Sequence, residues 1–518
     1  MSAAAASHTK ISYLDENGEE QTPDTGSERL REIATLLLSH EGASLVFSEK
    51  VRGNLYLTET TGTGYVWNQV KRLWIKVDAV INRASITEVL CPLIEDHLRH
   101  HRHEIYVDEE IAADTVKRLK KLAKEARSTP WCSNVFQKVI PKLYTSGWDA
   151  TLNKSSHELP LKDGMIINLK TLNVRQRTRA DMWSIECPVK FLPTADLTPI
   201  DEYMQKLFLE NKDMTIFMQK LLGYFLTGET TDRSMYFFHG TGKNGKSKLM
   251  NIVKSVMGQF YATLSPEALL DIGKTKSGPN PALMPLKHAR LAVMNDTGSG
   301  EVDARIVKAA TGGDAIAIRG LYEREYSETT TQAKLVDVSN QKKTFDAEDK
   351  AMVDRIKMIP YGARFDPTAK ESDELDEFVS GALDRFATWM IRGSAEWYGS
   401  GKDLCLPAPA EASTKALVHA SNTIDQFLGA CCELTSVGAE APSALRSAYV
   451  RWCQDAGTKA CSPQKFGQAM VSRFGQIKPR PCRYIGVRLS PAAESESQEH
   501  QRLLPGGRRE PKVDNIEL

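Results

Sequence analysis

Residues 234–257 read SMYFFHGTGKNGKSKLMNIVKSVM, and the fold follows from this stretch. Ser234–Phe238 is a compact apolar run suited to a buried parallel strand, and Lys248–Met257 continues with helical character. Between them lies Gly240-Thr241-Gly242-Lys243-Asn244-Gly245-Lys246-Ser247, which fits G-x-x-x-x-G-K-[ST] in the strand–loop–helix setting that gives the pattern its meaning. Glycines let backbone N–H groups turn inward around phosphates, where a side chain would clash. The helix N-terminus adds its partial positive charge. The expected ligands are ATP and Mg²⁺. Gly240 to Lys248 would cradle the nucleotide, Lys246 would bridge the β- and γ-phosphates, and the Ser247 hydroxyl would ligate the metal.

From about 231 to 365, short apolar runs alternate with helical segments, the pattern of a wound α/β domain. A phosphate loop needs a carboxylate at a neighbouring strand end to hold Mg²⁺ and polarise the attacking water. Arg290–Met294 is such a strand, and Asn295-Asp296 follow it, about 50 residues beyond Lys246. Asp296 is therefore the expected catalytic and metal-side carboxylate, with a plain turn aspartate as the alternative. Lys334–Val338 ends in Ser339-Asn340. A neutral amide there suits a γ-phosphate sensor, although asparagine is also an ordinary turn residue. Ile356–Pro360 is preceded by Asp354-Arg355. An arginine there is either a finger reaching a neighbouring subunit's ATP or a surface residue.

The order and spacing of these pieces resemble the superfamily 3 helicases, specifically the poxvirus-type and phage/plasmid primase–helicase group. The resemblance runs from roughly 50 to 490 and is sharpest from 231 to 365. It includes Lys308-Ala309-Ala310-Thr311-Gly312-Gly313-Asp314, then Arg319 and Leu321-Tyr322. What it implies is a ring ATPase. Lys246 and Ser247 would form the first motif, and Asp296 the second. Lys308, Gly312, Gly313, Asp314 and Arg319 would form a pore-lining β-hairpin that grips single-stranded nucleic acid. Asn340 would be the sensor and Arg355 the finger acting in trans. The group usually carries Glu where Asp296 stands, which leaves Glu301 as a second candidate base. Asp354 stands where many relatives have a basic residue.

The implied architecture is an α/β P-loop (AAA+-like) ATPase core with three attachments. These are a mixed α+β N-terminal region, a helical collar and a small C-terminal winged-helix-like domain. Expected boundaries are a disordered tail at 1–27, the α+β region at 28–200 and the collar at 201–230. The ATPase domain then takes 231–400, the winged-helix-like domain 420–490, and a second disordered tail 491–518. Strands are expected at Asn54–Thr58, Tyr65–Asn68 and Arg72–Val77, and a linker at Leu406–Ala412. Leu161–Leu169 is similar to a segment that precedes the motor in the same group. In the C-terminal module, Lys465, Arg473, Lys478, Arg480 and Arg483 are candidate nucleic-acid contacts, with pure protein docking as the alternative.

The bulk of the chain is compatible with this. At 518 residues, several domains are expected. Hydrophobic residues are 41% and charged residues 26%, ordinary for a globular protein. Net charge is +1, so nucleic-acid contact must come from local basic patches. The nine cysteines contain no C-x-x-C, which excludes the common zinc and disulfide frameworks and suggests a reduced, intracellular setting. The N-terminus MSAAAASHTK lacks a secretory apolar core, and no apolar run is long enough to span a bilayer. The expected place is the cytoplasm or a viral replication compartment, with no membrane partner. His97 and His101 stand at i, i+4, but without nearby cysteines or a carboxylate motif they read as a solvated helix face. No paired-aspartate signature of a primase appears in the first 150 residues.

The leading expectation is an ATP-driven DNA helicase, a homohexamer on single-stranded and forked DNA, replicating a virus, phage or plasmid with a primase or polymerase as partner. Its rivals are an ATPase for DNA packaging or RNA remodelling, and a non-hydrolysing origin-binding or scaffold protein. ATPase turnover indifferent to DNA and to loss of Arg355 would favour the rivals.

Overall fold

In this computed structural model the described residues are 27–100, 109–270, 280–295, 300–318, 327–365, 369–458, 460–475 and 482–493. Two helices, α1 (Ser27–Leu37) and α2 (His40–Lys50), lead into an antiparallel meander of β1 (Leu55–Leu57), β2 (Gly64–Asn68) and β3 (Leu73–Val77). Helices α3 (Ala79–His100), α4 (Glu109–Glu125) and α5 (Thr129–Leu143) follow. Their apolar faces close a first core around Phe47, Ile86, Leu90, Leu119 and Val135. His97 faces inward in α3, 3% exposed, with Nδ1 at 2.7 Å from the Leu93 carbonyl. The solvated-face reading therefore fails at that position, because burial of the helix stripe extends to it; His101 and His103 lie outside the described residues.

Next come three short antiparallel strands, β4 (Glu158–Pro160), β5 (Met165–Asn168) and β6 (Val174–Gln176), and helices α6 (Thr198–Leu207) and α7 (Lys212–Leu226). The wound unit then runs β7 (Met235–His239), α8 (Lys246–Met257), β8 (Tyr261–Leu264), α9 (Pro266–Leu269) and β9 (Leu291–Asn295). It continues with α10 (Ala304–Gly312), β10 (Ala315–Ile318), β11 (Ser327–Thr330), β12 (Lys334–Ser339), α11 (Lys350–Val353) and β13 (Ile356–Pro360). Five of these strands form one parallel sheet in the order β13-β7-β12-β9-β8.

Both faces of that sheet are covered, which is why its strands read as near-continuous apolar runs. Tyr236, Phe238, Val293, Val336 and Val338 join one core with α7, α8 and the long helix α12 (Ala369–Gly399). The alternate residues Met235, Phe237, Ala292, Met294 and Leu335 join a second core on the other face. Two buried cations fasten the N-terminal region to the start of the sheet. Arg290 donates to the carbonyls of Leu226, Ser155 and Glu158, and lies over the Phe260 ring at 4.8 Å. The Lys334 ammonium donates to the Thr227 carbonyl. Carbonyls accept from these cations while Arg290 Nε is left without a partner among the described residues, and burial pulls the Arg290 guanidinium down to about 10.

The stretch expected as a linker is helical from Ala408. There α13 (Ala408–Ser421) starts on Pro407 and Pro409, residues tolerated in a first turn, and covers the sheet edge as the Met358 N–H donates to Thr414 Oγ1 (2.9 Å). The C-terminal unit comprises α14 (Thr423–Cys431), β14 (Cys432–Glu440), α15 (Pro442–Asp455), α16 (Pro463–Phe474) and β15 (Tyr484–Leu489) around Phe427, Tyr449, Phe466 and Val487. The nine cysteines are free thiols. No helix among the described residues is long and apolar enough to cross a membrane.

Candidate nucleotide and nucleic-acid site

The segment Gly240–Gly245 joins the C-terminal end of β7 to the N-terminus of α8, at the carboxyl edge of the parallel sheet, where ligands of such folds bind. Its backbone needs its glycines. Gly242 and Gly245 take φ of +99° and +77°, and a Cβ on Gly240 would stand 1.9 Å from Asn244 Nδ2. Neighbouring segments fix the loop: Tyr361 N–H donates to the His239 carbonyl (2.7 Å) and Phe365 N–H to the Lys243 carbonyl (2.8 Å). Thr241, Lys243 and Ser247 are exposed, Gly242, Gly245 and Lys248 half-buried, and Asn244 and Lys246 buried.

Lys246 is 4% exposed, and its ammonium donates to three neutral oxygens. These are the Gly240 carbonyl (3.1 Å), Asn244 Oδ1 (2.8 Å) and Asn340 Oδ1 (2.8 Å). Asn340 comes to the loop because β12 lies parallel beside β7, with Ser339 opposite His239. Two sequence candidates 94 residues apart thus share a hydrogen bond. Burial first, then the charges of Lys342 and Lys246, hold the His239 imidazole below its ordinary value, so it is neutral at neutral pH. On the other side of β12, β9 brings Asn295 opposite Val338. Asp296, one residue on, lies outside the described residues. Glu301 is described, forming a parallel bridge with Thr344.

Arg355 sits at the other end of the sheet. Its carbonyl accepts from Met235 N–H at the start of β7 (2.8 Å), so the strand length, about 16 Å, separates it from its own chain's loop. It therefore cannot act on a nucleotide in that loop. Its guanidinium donates to Thr311 Oγ1 (3.1 Å) and the Ala351 carbonyl (2.5 Å).

The expected pore hairpin is shifted along the chain. Lys308, Thr311 and Gly312 belong to α10, Gly313 turns at φ +83°, and the antiparallel pair is β10 with β11. The helix wins here because Asp303 caps it and Val307 and Ala310 bury one face. Arg319 falls between the two strands, outside the described residues. Lys308 pairs with Asp349 at 2.5 Å. Burial alone would raise the Asp349 carboxyl, but Lys308 and the Met352 N–H outweigh it and hold it below the usual carboxylate range.

The segment Asp346–Asp349 holds two further candidates. Lys465 Nζ reaches Asp346 (2.6 Å), and Arg473 binds Glu348 (2.6 Å) and Asp425 (2.8 Å). These basic side chains of α16 are spent on the sheet domain, between the elements carrying Asn340 and Arg355. Arg483 is exposed and donates to the Ala439 carbonyl (3.2 Å); Lys478 and Arg480 lie outside the described residues. Sequence reading missed Asp346, Glu348 and Asp349, and gave Thr311 no role beyond its place in the motif. The acidic run was visible, but its partners are up to 125 residues away.

No family model matches the chain. Among curated proteins, "Putative helicase L207/L206" of Acanthamoeba polyphaga mimivirus is 24% identical over 338 residues, 63% of this chain and 35% of that protein. "Putative helicase 121R" of Invertebrate iridescent virus 3 is 23% identical over 231 residues, 43% of this chain and 24% of that one. Primase D5 of Fowlpox virus is 24% identical over 184 residues, 34% and 23% respectively. The chain is thus similar, at low identity, to viral proteins named as helicases and as a primase. It spans about a third of the length of the mimivirus relative and about a quarter of the other two. Among solved structures, the C-terminal region of NrS-1 aligns with a TM-score of 0.45 at 10% identity, covering 84% of this chain and 96% of that one.

Proposed function

We propose that this chain is the motor of a viral replication helicase, an ATP-driven ring that moves on single-stranded DNA. The observation that carries the reading is the Lys246–Asn340 hydrogen bond, which joins a glycine-rich loop after one strand to an amide at the end of its neighbour. ATP would be held by Gly240–Lys248, and Mg²⁺ by Ser247 and Asp296. The donor set fits: a buried ammonium, left-handed glycines and a helix N-terminus all favour phosphate. The metal would supply charge neutralisation on the transferring phosphoryl group.

The chain's own residues divide the work. Lys246 places a positive charge where negative charge grows in the transition state. Asn340 orients that ammonium through Oδ1, and its Nδ2 is free to donate to a phosphate oxygen or the lytic water. Arg355, a full strand length from its own loop, serves the loop of a neighbouring chain, which makes a closed ring the natural assembly. Because Arg355 touches Thr311 at the end of α10, a shift at the finger passes to the β10–β11 hairpin that would grip DNA. The winged-helix-like C-terminal unit docks through Lys465 and Arg473 onto the Asp346–Asp349 segment, which favours a docking role for α16 over base contact.

Forked-duplex unwinding by the wild type and Lys246→Ala, with particle imaging for rings, tests this reading. Wild-type unwinding in rings, lost in the variant, is expected. Hydrolysis without strand separation or rings would contradict it.

A further inference from the structure

Among the described cations expected to meet nucleic acid, Lys308, Lys465 and Arg473 are each paired with a carboxylate. Unpaired positive charge collects instead on α4. This helix is segregated along its length: Glu109, Glu110 and Asp114 occupy its first half, and Lys117, Arg118, Lys120, Lys121 and Lys124 its second, with Arg127 just beyond. Lys117, Lys120 and Lys124 are exposed and have no carboxylate within ion-pair distance among the described residues. They lie at i, i+3 and i+7, one face of the helix, spanning about 10 Å, the axial length of about three nucleotides of one strand. Arg118–Asp114 (3.8 Å) and Lys121–Glu125 (3.6 Å) are long, exposed pairs of the kind that contribute little. Only Arg127 is firmly held, by Glu95 at 2.5 Å.

Lys120 and Lys124 of this face border a hollow, with Lys117 one turn beyond its lining. An open groove of about 580 Å³ is lined by Leu98, Lys120, Lys121, Ala123, Lys124 and Arg127, with cations as its only charged groups. The apolar side of α4 is already used, because Leu119, Leu122 and Ala126 are buried against the first core. A basic amphipathic helix binding a membrane must offer its apolar face as well, and beside the lysines that face is buried, with Ile111 at the far end its one exposed large apolar residue among those described. What remains is a row of hydrated point charges, suited to a polyphosphate backbone without base reading.

We infer that the α4 groove is a second DNA-binding surface, holding the phosphodiester backbone of the DNA on which the motor works. The inference rests on the reading of the chain as a DNA motor. The test is equilibrium binding of a labelled forked DNA by the full chain, titrated from about 0.05 to 0.2 M salt. The Lys117→Glu/Lys120→Glu/Lys124→Glu triple is compared with the same charge change at Lys71, Lys76 and Lys415. The α4 triple should bind roughly tenfold more weakly, with the slope of log affinity against log salt reduced by about 2 to 3. Its DNA-independent ATPase rate should equal the wild type's. Glutamine at the three positions should give a smaller effect in the same direction, and keeps the question open to measurement should glutamates disturb the helix. Equal binding and slope in wild type and both triples would overturn the inference alone. An equal loss in the control triple would also overturn it. So would loss of binding to polyglutamate or phosphatidylserine vesicles while forked DNA is unaffected. A wild type that binds no DNA would overturn it together with the motor reading.

Discussion

Lys246 is surrounded by oxygens from three places: the exit of β7, the loop itself and the end of β12. Its charge is buried at the mouth of the loop, where a phosphate would sit. Replacing it with alanine should lower ATP turnover by at least about 100-fold, measured as steady-state hydrolysis, with folding unchanged. Asn340→Ala removes one of the three oxygens and the free amide donor, and should lower turnover more than it raises KM. A purely structural turn residue would instead lower the melting temperature and leave turnover per folded molecule intact. The loop was legible in the sequence because its chemistry is local, with glycines, lysine and serine within eight residues. The Lys246–Asn340 contact was only half legible: the strand end was visible, but its place beside β7 depends on a strand order that no local pattern states.

At the scale of elements, the parallel strands were readable from continuous apolar runs, since both faces of the sheet are buried. The hairpin was misplaced because Lys308–Gly312 has a capped, one-sided helical pattern that won locally. The ion-paired docking of α16 was not readable at all. Cutting it with Arg473→Ala and Lys465→Ala should cost about 1 kcal/mol or less for the exposed Lys465 pair, more for the half-buried Arg473 pairs, and free the C-terminal unit. Faster amide exchange confined to α14–α16 would register this, and unchanged exchange would argue that packing alone holds the unit. The Lys308–Asp349 pair has a defined pH window. The Asp349 carboxyl is held below its ordinary value, so its contribution is complete above about pH 4 and is lost as pH falls through the lower, folded value. Asp349→Asn should remove that part of the acid sensitivity in a melting-temperature series.

At the scale of the whole molecule, the N-terminal region and the sheet domain meet where Lys287 pairs with Asp149 (3.6 Å), and the next residue, His288, keeps an exposed edge. Desolvation of the ring's inner side first, then the charges of Lys287 and Lys154, push the His288 imidazole down to about 4. Between that value and about 6.5 the folded chain binds fewer protons than the unfolded one, so stability rises with pH across this window. Melting temperature should fall on acidification from about pH 6.5, and fall less in His288→Gln.

The proposed division of the catalytic site between chains also belongs to this scale, since Arg355 and its own loop lie at opposite ends of one sheet. Arg355→Ala alone should reduce ATP turnover by about 10³-fold, and Lys246→Ala by at least about 100-fold. Mixing the two variants and measuring ATP hydrolysis separates a shared site from a self-contained one. A shared site restores activity well above the sum of the two parts, as Arg355 of the Lys246→Ala chain serves the intact loop of its neighbour. Activity no greater than that sum would contradict it.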